Sequence, residues 1–213
     1  HRHRKSFLTR IILAGLIQHD RTSLLVFDMH NEYGYDDIAS DTQARVTGLK
    51  KRFPTRVRVV GLGQGAMIRG QPPDFNLEIA MRDLQPEDIE LLTHELNLKE
   101  TTPTTLDALL TTFRQDWFAS FKAMRRNAVV VDEETGKKMP APDSVAAWAI
   151  EAGVNVMAAE GLHDKLRRLF NCPYIVEDPA ADSIGEIIKA LEGGQHVLLS
   201  FGRFESDLDY LLV

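Results

Sequence analysis

The densest chemistry in this chain lies in one eleven-residue stretch, FDMHNEYGYDD, which gathers Asp28, His30, Asn31, Glu32, Tyr33, Asp36 and Asp37. Metal ligation, water activation and general-base work all require carboxylates or an imidazole brought together in this way. The stretch directly follows the apolar run Leu24-Leu25-Val26-Phe27, which places it at the carboxyl end of an expected strand. Ligands of open α/β sheets collect at such strand ends. The same residues also suit a solvated loop in which Asp28 caps a backbone turn, and their spacing matches no strict ligand pattern.

A second group stands one segment earlier. Lys5 and Ser6 open an apolar-periodic run, the position that the lysine and the magnesium-binding hydroxyl occupy in a phosphate-binding loop. Such a loop also needs a glycine-rich turn whose N–H groups cradle phosphates. His1 to Arg4 alternate histidine and arginine and contain no glycine. Taken alone, Lys5-Ser6 is equally well a plain helix start, with Ser6 as an early-turn or cap residue.

Other stretches have the outline of a motif without its setting. GLGQGA matches a dinucleotide-binding turn through Gly61, Gly63 and Ala66, yet MIRGQPPDF follows it and leaves no room for the helix that must receive a pyrophosphate. This segment reads as a flexible loop. AVVVDEE resembles an apolar strand ending in a magnesium-binding Asp-Glu pair, but the following TGKK makes a hairpin tip, and Asp132 and Glu133 then stand in a solvated turn. Basic groups at Lys50-Lys51-Arg52, at Lys122, Arg125 and Arg126, and at Lys165, Arg167 and Arg168 could meet phosphodiester oxygens or simply be solvated. Trp117, Phe118 and Phe121 are expected in a core, and His94, His163 and His196 show no ligand spacing.

These groups must be held by an alternating architecture. Leu8, Ile11, Ile12 and Leu16 repeat at helical spacing over Lys5 to Gln18, and the unbroken run at 24–27 reads as a strand of a parallel sheet covered on both faces. A short helical stretch is expected near Gln43 to Lys51, a strand at Val57–Val60, and an alternating strand through Phe75, Leu77 and Ile79. From Pro86 to about Lys122 the pattern becomes amphipathic helix, and helices are also expected near Ser144–Ala152 and Ala159–Phe170. A short strand at Tyr174–Val176, a helix in SIGEIIKALEGG and a strand in HVLLSF then restore the alternation. The reading is one interrupted α/β domain: 1–80 as the first part of the core, 81–170 as a mainly helical insertion, and 171–213 as the return to the core. The helix opened by DLDYLLV stops without a cap, so the polypeptide is expected to continue beyond it.

With 213 residues, 44% of them apolar, the chain can bury a large core. A formal charge of −6 argues against a uniformly basic nucleic-acid binder while allowing a local basic strip. One cysteine excludes a disulfide framework or a cysteine-based zinc cluster and fits a reducing compartment, so a cytoplasmic location is expected. No apolar run reaches the roughly 18 residues of a membrane span.

In their order, KSFLTRIILAGLI, LLVFDMHNEYG, GLKKRFPTRVRVVGLG, LQPEDIELLTHEL and GGQHVLLSFGRFESDLDYLLV resemble the central part of HerA-type ATPases of the HerA/FtsK group. The likeness covers most of the chain and rests on the D-x-H-x-E-Y signature, here Asp28, His30, Glu32 and Tyr33, one helix and one strand after Lys5-Ser6. It implies a RecA-like P-loop NTPase core, a mostly parallel sheet with helices on both faces and a helical insertion, here truncated at both ends. It further implies a hexameric ring, ATP and magnesium as cofactors, double-stranded DNA as the partner driven through the pore, and possible coupling to a NurA-type nuclease. By resemblance, Lys5 goes to the β- and γ-phosphates, Ser6 to magnesium, and Phe7 to the helix behind the phosphates. Asp28 and Glu32 go beside the metal and attacking water, with His30 and Tyr33 positioning that loop. Arg4 stands where the family has a glycine, Asn31 replaces a common glycine of the acidic signature, and the chain as given is expected to hydrolyse little by itself. The competing reading is a degenerate P-loop domain acting as a nucleotide-free protein or DNA interaction module.

Overall fold

The computed structural model describes residues 2–38 and 45–213. They form two compact units. The first is built from the chain up to Glu78 and again from Pro179 onward, and the second from Ile79–Asp178.

The first unit contains helix α1 (Arg2–His19), strand β1 (Leu25–Asp28), the short strands β2 (Asp37–Ile38) and β3 (Arg45–Val46), helix α2 (Leu49–Arg52), and strands β4 (Val57–Leu62) and β5 (Phe75–Leu77). The second contributes β6 (Ile79–Ala80), α3 (Pro86–Leu91), α4 (Thr93–Leu96), α5 (Thr102–Phe113), α6 (Trp117–Ala123), β7 (Val129–Val131), β8 (Lys138–Pro140), α7 (Val145–Glu151), α8 (Val156–Phe170) and β9 (Ile175–Val176). Helices α9 (Ser183–Glu192) and α10 (Asp207–Leu212) flank strand β10 (His196–Ser200) and complete the first unit.

The first unit is organised around a four-stranded parallel sheet in the order β1-β10-β4-β5. Every residue of β10 is buried, and β4 is buried at all positions but Arg58. Central parallel strands covered on both faces carry such unbroken apolar runs. The run at β1 was expected in the same setting, but the structure puts it at the sheet edge, where Leu25 and Phe27 remain 44% and 47% exposed. Helix α1 differs from expectation in the same way. Its Leu13 and Ile17 enter the core beside Val57, Val59 and Leu198, while Leu8, Ile11, Ile12 and Leu16 are exposed. Because α1 is apolar on two stripes, periodicity alone could not choose the buried one. Gln43 lies outside the described residues, and the helix expected around it is confined to α2.

Ser183 closes the first unit where the chain leaves and returns. Its hydroxyl accepts the Glu78 N–H at 3.0 Å and donates to the Glu78 carbonyl at 3.1 Å, while the Glu78 carboxylate accepts the Ala180 N–H at 2.9 Å. The Phe75–Leu77–Ile79 alternation divides at this point, because β5 pairs with β4 and β6 pairs in parallel with β9 of the second unit.

The second unit is mainly helical. Trp117, Phe118, Phe121, Leu106, Leu109 and Leu166 are fully buried, and the Trp117 indole donates to the Leu84 carbonyl at 2.8 Å. Ser144 and Asn155 cap α7 and α8 by accepting the Ala147 and Ala158 N–H groups. AVVVDEETGKKMP forms the antiparallel hairpin β7–β8, and Asp132 closes its tip by accepting from the Thr135 N–H.

Candidate nucleotide site

The loop after β1 is shaped by its first residue. Asp28 is 1% exposed, and its two carboxylate oxygens accept the Glu32 N–H at 2.8 Å and the Tyr33 N–H at 2.9 Å. Burial pushes the Asp28 carboxyl above its usual range, against the opposing pull of the Tyr33, Glu32 and Gly34 N–H groups. The side chain thus works as an internal turn organiser that folds the loop back over the strand end. Asn31 takes up φ = 56°, a left-handed conformation that asparagine tolerates where glycine would be free. Its side-chain amide donates to the Gly202 carbonyl at 2.9 Å and accepts the Gly202 N–H at 2.8 Å, joining the loop to the segment after β10.

Three more anchors fix the loop. The Leu49 and Lys50 N–H groups, at the start of α2, donate to the carbonyls of Tyr33 and Gly34 at 2.9 and 3.0 Å. Arg10 on α1 donates to the Glu32 carbonyl. Arg69 donates to the Asn31 carbonyl and pairs with Asp37. Tyr33 closes the arrangement: its ring packs against the core formed by α1 and the sheet. Burial raises the Tyr33 phenol above its usual range.

The structure therefore brings Ser6, Asp28, Glu32 and Tyr33 into one locality at the carboxyl end of β1. Lys5, Phe7 and His30 are exposed. Asp28 faces the loop amides, and Glu32 and Ser6 are the half-buried oxygen donors of the set. Among the described residues, no group of three or more His, Cys, Asp or Glu side chains is arranged to hold a metal ion. Magnesium does not require one, since it keeps several waters and binds through one or two protein oxygens plus substrate phosphates. Of the two expected metal ligands, Ser6 and Asp28, Asp28 already accepts the Glu32 and Tyr33 N–H groups with its two oxygens.

Sequence reasoning missed Arg10 and Arg69. Arg10 lies four residues after Ser6, hence on its face of the helix, so helical spacing could have found it. Arg69 is 38 residues from Asn31 and carries no local signal. Within its loop Ile68 is fully buried and exchanges hydrogen bonds with Gln71 at 2.8 and 3.0 Å. No helix follows GLGQGA before β5, so the dinucleotide-turn outline has no receiving helix. Much of the basic charge is committed within the units: Lys50 to Asp74, Lys51 to Asp36, Arg125 to Asp143, and Arg126 to Glu160 and Asp164.

A pH dependence follows from Asp28. Its raised folded value means that the folded state holds this proton more tightly than the unfolded chain does, so its contribution to stability falls as pH rises from 3.8 through the raised value and is flat beyond it. Asp36 acts with the opposite sign, because the Gly48 N–H and Arg45 hold it below the usual carboxylate range. The Asp28 contribution is therefore read as a difference. Asp28→Asn is expected to remove this downward slope in urea titrations run at several pH values, and to cost about 1–3 kcal/mol at neutral pH by setting an amide NH2 against a backbone N–H. Parallel pH profiles for the two proteins would contradict the assignment.

A parallel sheet flanked by helices, with a polar loop at the carboxyl end of a strand beside a Lys-Ser helix start, defines an α/β domain of the RecA-like P-loop class. The sequence profile of the family described as "Helicase HerA, central domain" matches residues 5–213, and the chain belongs to that family. No curated protein and no solved structure gives a significant match. Membership carries P-loop ATPase chemistry of the DNA-translocase type, with nucleotide and magnesium, in general terms. No helix among the described residues is long and apolar enough to cross a membrane.

Proposed function

We propose that this chain is the nucleotide-binding core of a HerA-like, ATP-dependent DNA translocase or helicase that acts in DNA processing. The observation that supports it best is the hydrogen bond from Arg10 on α1 to the Glu32 carbonyl, which ties the acidic loop to the helix whose start would face the phosphates. In this reading Lys5 neutralises the β- and γ-phosphates, Ser6 ligates magnesium, and Phe7 lies on the helix behind the phosphates. Glu32 faces the metal's water and the attacking water. Asp28 acts on the same centre by holding Glu32 and Tyr33 in place, and His30 lines the open side of the loop. Phosphoryl transfer asks a protein mainly for positioning and for charge against the developing phosphate charge, and these residues supply both. Bound magnesium would supply the remaining cationic stabilisation. Assembly as a hexameric ring around double-stranded DNA, cooperation with a NurA-type nuclease and a cytoplasmic location belong to the same proposal.

The test is calorimetric titration of MgATP into this polypeptide. Magnesium-dependent binding weakened at least tenfold by Lys5→Ala is expected. Absence of magnesium-dependent binding overturns the reading in favour of a nucleotide-free interaction module, and equal binding by Lys5→Ala overturns the placing of the phosphates at Lys5.

A further inference from the structure

The two peptide groups that flank Glu32 are held at all four of their polar atoms. In the group before it, Arg69 donates to the Asn31 carbonyl, and the Glu32 N–H donates to one Asp28 oxygen at 2.8 Å. In the group after it, Arg10 donates to the Glu32 carbonyl, and the Tyr33 N–H donates to the other Asp28 oxygen at 2.9 Å. With both peptide planes fixed, the Glu32 carboxylate keeps only its side-chain torsions. Of the three side chains that hold it, Asp28 belongs to the strand end and Arg69 to the loop after β4. Arg10 is the one on α1, four residues after Ser6 and on the same face of that helix.

The same arginine carries a penalty. Its Nε–H is buried without a hydrogen-bond partner, and among the described residues its guanidinium forms no ion pair. A buried N–H without an acceptor lowers stability, whereas an uncharged side chain of similar length would cover the same surface without that loss. Stability therefore does not explain a guanidinium here. Its bond reaches the residue proposed to face the attacking water, and its stem starts from the helix proposed to face phosphates and magnesium. Groups that must share one metal and its water have to be held at a fixed separation, and a side chain spanning them does so. We infer that Arg10 is a positioning residue: by holding the Glu32 peptide to α1 it sets the separation of Ser6 and the Glu32 carboxylate, and with it the fit of the site to magnesium and its bound water. This role rests on the nucleotide site proposed above and names the side chain that couples its acidic loop to its helix. Arg10 acts through Glu32 and contacts neither phosphate nor metal.

Calorimetric titration of ATP, with and without magnesium, into the wild type, Arg10→Met and Arg10→Lys tests it. Magnesium is expected to strengthen ATP binding by the wild type. Arg10→Met should lose about tenfold of that enhancement, the effect of one hydrogen bond from a charged donor, while binding magnesium-free ATP as the wild type does. Arg10→Lys keeps the charge and a donor and should recover part of the enhancement. A side chain that merely supported the fold would change both affinities together. Hydrogen exchange in the nucleotide-free protein supplies a second readout: the Glu32 and Tyr33 amides should exchange faster in Arg10→Met, with the amides of β4 and β10 unchanged. Wild-type enhancement in Arg10→Met, equal weakening with and without magnesium, or unchanged exchange at Glu32 and Tyr33 overturns the role of Arg10 and leaves the nucleotide site standing. A wild type on which magnesium has no effect overturns the nucleotide site, and the role of Arg10 with it.

Discussion

Gly48→Ala is expected to cost about 3 kcal/mol, the upper end for overpacking a well-packed site, and to unseat the acidic loop. An added Cβ at this position would stand 2.4 Å from the Tyr35 carbonyl carbon, and 2.5 Å from both the Gly34 oxygen and the Tyr35 Cα. All three are backbone atoms, so no side chain can rotate away. The Gly48 N–H also donates to Asp36 at 2.9 Å, and the next two N–H groups hold Tyr33 and Gly34. Relieving the clash means pulling α2 off the loop and losing those bonds together. Gly15 is the control: nothing lies within 4 Å of its added Cβ, so Gly15→Ala should be neutral or stabilise by about 0.5–1 kcal/mol as an interior helix position. Urea unfolding followed by circular dichroism, with hydrogen exchange at Glu32 and Tyr33, checks both. Wild-type stability in Gly48→Ala would refute the close packing of Gly48 against Gly34 and Tyr35.

The second large effect belongs to the other unit. Phe121 is fully buried, with its ring centroid 5.0 Å from His163, 5.9 Å from Trp148 and 6.1 Å from Phe170. Phe121→Ala is expected to cost about 3–5 kcal/mol, the range for large aromatic truncations in cores. The chain's two tryptophans, Trp117 and Trp148, both lie in the second unit, so their fluorescence isolates this loss. The Trp-monitored transition should move to lower urea in Phe121→Ala. Burial holds the His163 imidazole below its ordinary value, so the neutral ring's contribution is present above pH 6.5 and is lost as pH falls through the depressed value. Opening the cage should return His163 toward 6.5, visible in its ring proton shifts. An unmoved fluorescence transition would show that the ring is not the hub of this core.

The strand end that carries the candidate site was legible in the sequence. A run such as Leu24–Phe27 followed by a burst of polar residues marks a strand end in an α/β sheet, and Lys5-Ser6 one helix earlier had to lie near it. The use of each group was harder to read. Residue type shows that Asp28 has lone pairs, while only the folded backbone shows that two amides take them. The edge position of β1 was hidden because a four-residue apolar strand reads alike at the centre and the border of a sheet. The buried face of α1 was hidden because Leu13 and Ile17 compete with an equally regular outer stripe. Arg69 was out of reach, since its partners are set by a loop closure that leaves no trace in local spacing.

The bonds among Glu78, Ala180 and Ser183 have a bearing on how the chain folds. They hold residues 102 and 105 positions apart side by side, while Ile79 pairs with Ile175 just inside them. Closing a loop of that length in an unstructured chain is entropically costly, and each doubling of length adds about 0.6 kcal/mol. If the helical unit forms first, its own β6–β9 pairing already brings the two connecting strands together, and β10 then reaches β4 without closing the whole inserted length. The inserted hundred residues would thus act kinetically as a short hinge, and a tight turn joining Glu78 to Pro179 should leave the parallel sheet able to assemble.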